Sequence, residues 1–259
     1  MAVMLSTGLK TMPEIQIGNA LSLPRDPTFA AFAKAWSGAC TGINCEGIQR
    51  YFLNTVILII PTALIPTFLG MLNGYVLSQW RFRGSEVFFA LLLFGCFIPL
   101  QVVLLPMAQV LGWLGLANSY GGLMLVHIAY GIPFTTMFFR NYYVSLPPEL
   151  VRAARVDGAS FFQIFWSIIV PISGPIIIVS LIWQFTQVWN DFLFAVIFSG
   201  ADSQPVMVAL NNIVKTSTGT KEYNVDMAAA LLAGLPTLIV YLISGRFFVR
   251  GLTAGAVKG

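Results

Sequence analysis

The sequence predicts an all-α integral membrane protein, a polytopic helical bundle. Hydrophobic residues make up 57% of the chain and charged residues only 9%, whereas soluble domains carry about a quarter charged residues. The apolar residues gather into five runs, each able to supply the roughly 20 residues that a bilayer crossing needs. One polar stretch, 147–163, separates the third run from the fourth and organises the chain around it.

Residues 1–50 read as an extracytoplasmic N-terminal segment. Met1 to Leu9 is too short to span and lacks the charged start and cleavage site of a signal peptide. Pro, Gly, Asn and mixed charge then predict a loop with a short helix near Pro27–Trp36. Cys40 and Cys45 lie here in a C-x4-C pair without accompanying His or further Cys, a weak metal signal. In an extracytoplasmic segment they form a local disulfide or stay as free thiols. Cys96, inside an apolar run, reads as packing.

The transmembrane region covers 51–249, with spans at about Tyr51–Gln79, Val87–Leu111, Tyr120–Phe139, Ile164–Phe198 and Met227–Val249. The fourth exceeds the need of a bilayer, so its ends are expected to project or tilt. Every span holds proline, whose freed backbone groups neighbouring helices can satisfy. Asn54, Asn73, Gln101 and Gln109 read as interhelical hydrogen-bonding residues. His127, the single histidine, reads as a satisfied core residue rather than a proton relay.

Orientation follows from loop charge. Arg81, Arg83, Arg140, Arg152, Arg155, Arg246, Arg250 and Lys258 share one set of loops with Glu86, Glu149 and Asp157. Lys10, Arg25, Lys34, Arg50, Lys215 and Lys221 share the other with as many acidic residues. The positive-inside rule puts the first set in the cytoplasm, with the 147–163 loop and a tail at 250–259. Five spans with the C-terminus inside leave residues 1–50 outside with nothing to carry them there. A missing first span is therefore expected.

Within 147–163, two prolines open a short helix and Glu149 sits in its first turn, where negative charge suits the helix dipole. Leu150, Ala153, Ala154 and Asp157 fall on one narrow face. Asp157 and Gly158 stop this helix and start another at an angle, with Asp157 expected to cap the second. In the fourth span, Asp191 is an intramembrane carboxylate, costing roughly 2.5–3.5 kcal/mol by insertion scales. With Asn190, Gln184 and Gln187 it forms a polar patch that either lines a solute path or caps the outer surface. Trp183 and Trp189 offer stacking faces beside it. The external loop 199–226 contains an amphipathic stretch at Val206–Val214 that reads as a surface helix or as solvated loop. No G-x-x-x-x-G-K-[ST] sequence occurs. A secondary transporter would need inverted repeats and a midplane ion site, and no convincing half-to-half repeat is visible.

The polar stretch resembles the cytoplasmic "EAA" loop of binding-protein-dependent ABC importer permeases. Ala153, Ala154, Asp157, Gly158 and Ala159 match, followed by Phe165, Pro171 and Pro175, with Pro148, Glu149 and Leu150 as the lead-in. Leu9 to Thr11 with Pro13 and Glu14, Trp80 to Gly84, Trp189 to Phe192 and Arg246 to Leu252 resemble the maltose-type carbohydrate permeases, closest to the glucose/mannose-type group. The resemblance implies a bundle of the type I importer kind, moving glucose or a related mono- or oligosaccharide across a bacterial inner membrane. It implies no catalytic or metal residue and no cofactor on this chain, with ATP and Mg on a separate ATPase. Its implied partners are a second homologous permease, homodimeric or heterodimeric ATPase subunits, an extracytoplasmic sugar-binding protein and membrane lipid, but no nucleic acid. Ala153, Ala154, Asp157, Gly158 and Ala159 would form the coupling helix, with Glu149 and Arg152 beside them. Arg152 replaces the family's first acidic residue. A substrate pathway is expected at Trp183, Gln187, Trp189, Asn190 and Asp191.

Overall fold

A computed structural model describes all residues except Ala20, Ile43, Arg81, 216–220 and 257–259, with side chains from 246 onward also outside the described set. Of the expected tail at 250–259, residues 257–259 and the side chains of 250–256 therefore lie outside the described residues, as do the side chains of Arg81, Arg246 and Lys258. The described chain is helical: α1 Ala2–Gly8, α2 Met12–Ile17, α3 Ala30–Ser37, α4 Gln49–Gln79, α5 Ser85–Phe97, α6 Leu100–Trp113, α7 Tyr120–Val144, α8 Pro148–Val156, α9 Phe161–Ile172, α10 Gly174–Trp189, α11 Leu193–Phe198, α12 Val206–Lys215 and α13 Tyr223–Ala256. Three of them, α4, α7 and the Tyr223–Gly245 part of α13, are long and apolar enough to cross a membrane; counting each bent pair as one span gives up to five.

Two expected spans are not straight. The second breaks between α5 and α6 with a bend of 102°. Pro99, whose ring disfavours the helical conformation at Ile98 before it, sits at the break, where Ile98 is extended. The fourth bends by 76° at Ser173, between α9 and α10, and ends at Trp189, with α11 a separate helix. Residues Phe165–Ile169 of α9 form a π-helical turn. The stretch expected as one long span is thus divided into two helices at a bend and a third, separate one.

The bundle is built on α4 against α7. Small residues let the two backbones approach: a Cβ on Gly70 would lie 2.4 Å from Thr135 Oγ1, and one on Gly74 2.7 Å from the Arg140 backbone nitrogen. Thr135 Oγ1 donates to the Pro66 carbonyl (2.7 Å) and Asn73 Nδ2 to Thr136 Oγ1 (3.2 Å), so Asn73 is an interhelical residue as expected.

At one end of α4, Asn54 Nδ2 donates to the carbonyls of Asp202 and Gln204, and Tyr120 Oη donates to Asn54 Oδ1. The Val206 N–H donates to Thr55 Oγ1, and Arg50 pairs with Asp202 at 2.7 Å. The part of the external loop around Asp202–Val206 is therefore seated on the bundle. Helix α12 buries Val206, Val208, Ala209 and Ile213, a packed amphipathic helix and not a solvated loop. Cys40 and Cys45 are joined as a disulfide at the same end. The buried Lys10 Nζ donates to Asn19 O and Ser22 Oγ, while Asn224 Nδ2 donates to the Lys10 carbonyl and ties the N-terminal segment to α13.

Candidate functional site: a glycine corner and a polar cavity

The corner at the other end of α4 is made by two sequence-local devices. The Gly158 N–H donates to Arg155 O (3.1 Å) and the Ala159 N–H to Ala154 O (2.9 Å), the paired bonds of a Schellman close. Gly158 carries φ +82°, a backbone conformation that L side chains disfavour. Helix α9 then opens with a capping box: Gln163 N–H donates to Ser160 Oγ, and Ser160 N–H donates to Gln163 Oε1. Ser160, not Asp157, caps the second helix; Asp157 stands at the C-cap of α8 with its side chain exposed.

Helix α8 turns Val151 and Ala154 inward and leaves Glu149, Leu150, Arg152, Ala153 and Asp157 exposed. The expected face of Leu150, Ala153, Ala154 and Asp157 is thus divided, with only Ala154 seated on the bundle. No Glu149–Arg152 ion pair forms among the described residues. Arg155 fastens the corner to α4: its Nη2 donates to Gln79 O (2.6 Å) and its guanidinium lies 4.2 Å over the Trp80 ring. Phe161 packs against Tyr75 and Trp80 with ring centroids 4.9 and 5.2 Å apart.

A second feature lies at the α5–α6 break. A cavity of about 370 Å³ is bounded by the break, α7, α10 and α11. Asp191, whose side chain is 11% exposed, accepts the N–H of Phe194 at Oδ1 (3.1 Å) and of Ala195 at Oδ2 (2.8 Å), fixing the carboxylate at the start of α11. His127 Nε2 stands 3.4 Å from Asp191 Oδ2, within ion-pair range but without hydrogen-bond alignment. Gln184, 2% exposed, occupies the niche left by Gly131, and its Nε2 has no partner. An unsatisfied buried amide costs about 1–3 kcal/mol. Gln187 is exposed on the same lining, Trp183 packs on Phe134, and Tyr130 Oη donates to Ile98 O at the break (2.7 Å).

Residues 64–253 match the family described as binding-protein-dependent transport system inner membrane component. The chain belongs to this family. This inner membrane component is 42% identical over 188 residues to a probable ABC transporter permease protein of Pyrococcus horikoshii, covering 72% of this chain and 68% of that one. It is 34% identical over 275 residues to the xylose/arabinose import permease protein XacI of Haloferax volcanii, covering 98% and 88% respectively. Its fold matches a chain of a bacterial ABC transporter involved in the import of the acidic polysaccharide alginate. The TM-score is 0.80 at 21% identity, with 95% of this chain and 89% of that chain covered.

In this inner membrane component the predicted polar patch divides. Trp183, Gln187 and Asp191 line the cavity, whereas Trp189 and Asn190 do not. The Trp189 ring is buried, donating Nε1–H to Ala233 O and stacking on Phe185. Asn190 is exposed and bonds Thr186 O and Thr237. His127 is not the satisfied core residue expected, and Cys96 lies on the cavity lining. Helical spacing carries part of the missing signal: 184 and 187 share a face with 183, while 189 turns away from it; Asn190 and Asp191 lie at and beyond the end of α10, where that spacing no longer applies. Replacing Asp191 by Leu removes both acceptors from the start of α11. The solubilised protein should lose about 1 kcal/mol or more of stability, read as a lower melting temperature.

Proposed function

We propose that the chain is the permease subunit of an ATP-driven importer that moves a mono- or oligosaccharide, glucose or a relative, inward across a bacterial cytoplasmic membrane. The observation that carries this reading is the corner. Helix α8 is anchored through Val151, Ala154 and Arg155, yet presents Leu150, Ala153 and Asp157 outward beside the glycine turn. A small-residue face held rigid at the base and open at the surface suits insertion into a cleft of a separate ATPase, which would hold ATP and Mg. The positive-inside bias of the loop charges supports a cytoplasmic side for this corner and the C-terminus. The Asp202 end then faces outward, toward a sugar-binding protein, and the remaining apolar faces meet lipid and a second, homologous permease. The sugar reading is supported by the pentose import permease above.

Co-purification and energetics test the reading together. The expected result is that the chain elutes with an ATPase subunit and that saccharide uptake collapses on ATP depletion but survives an uncoupler. Uptake that survives ATP depletion and collapses with the uncoupler would instead identify a secondary transporter.

A further inference from the structure

We propose that the cavity at the Ile98–Pro99 break is a contact site on this chain for the hydroxyl groups of neutral saccharides, and that Asp191 bars acidic ones. The inference rests on the reading of the chain as a sugar importer's permease. Three observations bear on it.

The lining is polar where burial makes polarity costly. Gln184 and His127 both line the cavity and are more than nine-tenths buried, and each carries a shielded amide or ring nitrogen with no hydrogen-bond partner among the described residues. A packed core would have filled these positions with apolar side chains. The terminal torsion of a glutamine is soft, so a small rotation turns the Gln184 amide from the Gly131 niche toward a ligand oxygen. The groups are also complementary to hydroxyls, which both donate and accept: the Asp191 carboxylate accepts, the amides of Gln184 and Gln187 donate, and Trp183 supplies an apolar ring for a sugar face. Finally, the lining holds one carboxylate and no lysine or arginine. A uronate brought into this cavity would set its own carboxylate near Asp191 with no lysine or arginine on the lining to balance it and with His127 already standing beside Asp191, and like charges at close range away from bulk water repel.

Cys96 gives the site a built-in reporter, because it lies on the lining while the other two cysteines are joined to each other. The complete transporter, with its partner permease, ATPase and binding protein, is reconstituted in proteoliposomes. Uptake of glucose, maltose, xylose and glucuronate is measured, along with N-ethylmaleimide labelling of the Cys96 peptide by mass spectrometry in the absence of binding protein. For a neutral sugar that the wild type carries, Gln184→Leu and Gln187→Leu should each lower maximal uptake about tenfold. The half-saturating concentration should stay unchanged, since capture by the binding protein precedes the cavity. Gln184→Leu should melt at or above the wild-type temperature, which a packing role for the amide would not produce. Gln187→Leu, at an exposed position, carries the test if the Gln184 variant fails to assemble. The neutral sugar should slow Cys96 labelling in the wild type and glucuronate should not.

Full uptake in the Gln187→Leu transporter, or equal protection of Cys96 by glucuronate, overturns the proposal while the sugar-importer reading stands. A wild type that carries none of the neutral sugars but imports another solute overturns both.

Discussion

Gly158→Pro is expected to abolish transport while leaving the membrane bundle assembled. Proline fixes φ near −65°, whereas position 158 sits at +82°. It also removes the N–H that donates to Arg155 O. The corner between α8 and α9 then cannot close, and the exposed face of α8 loses its presentation. Nothing lies within 4 Å of a Cβ built on Gly158, so the fault is conformational and not steric. Uptake should fall by about a hundredfold or more, the rate equivalent of ~3 kcal/mol, with the protein still recovered from membranes. Gly158→Asn is the informative contrast, because asparagine visits the left-handed region at modest cost. It should keep most of the uptake. Equal loss in both variants, or none in the proline variant, would sink the assignment of the corner as the coupling element.

The second large effect is expected where α4 meets α7. A Cβ on Gly74 would lie 2.6 Å from Phe139 Cβ and 2.7 Å from the Arg140 nitrogen, and one on Gly70 2.4 and 2.5 Å from Thr135. Two of those obstacles belong to the backbone or to a β-branched side chain that bonds Pro66 O, so neither can step aside. Overpacking typically costs 1–3 kcal/mol, and Gly74→Leu, which forces the helix axes apart along their whole contact, should reach ~3 kcal/mol or more. The solubilised complex should then run as aggregate in size-exclusion chromatography and melt well below wild type. Gly112→Ala, with nothing within 4 Å of its added methyl, should leave the melting temperature unchanged or raise it slightly. A Gly74→Leu protein that melts with the wild type would show that this contact is not what holds the bundle.

The apolar runs made the long helices α4, α7 and α13 legible, and the corner was legible in its glycine after a short helix; the cap was misread, because Asp157 drew attention from Ser160, which stands three residues before Gln163. The bends were not legible. Proline is tolerated inside membrane helices, as at Pro61 and Pro66 in α4, so Pro99 carries no mark in the sequence that it breaks its helix and they do not. The cavity was half legible. Asp191 is conspicuous as an intramembrane acid, but its neighbour His127 lies 64 positions earlier on another helix, and no periodicity links the two. Trp189 was drawn in by adjacency along the chain, although one helical step turns a side chain by about 100°; Asn190 ends the helix as its C-cap and bonds Thr186 O instead.

Helix α4 runs as one uninterrupted element of 31 residues, about 46 Å long. Its first turns hold the Asp202 segment through Arg50, Asn54 and Thr55, and its last residues hold the corner through Gln79 and Trp80. Gly70 and Gly74, where an added Cβ would meet α7 at under 3 Å, lie far from the middle of α4. From that fulcrum the corner end is about 10 Å away and the opposite end about 35 Å. A pivot there would give α4 a mechanical advantage of about threefold in travel, so that a small displacement at the corner becomes a larger, oppositely directed swing of the segment around Asp202.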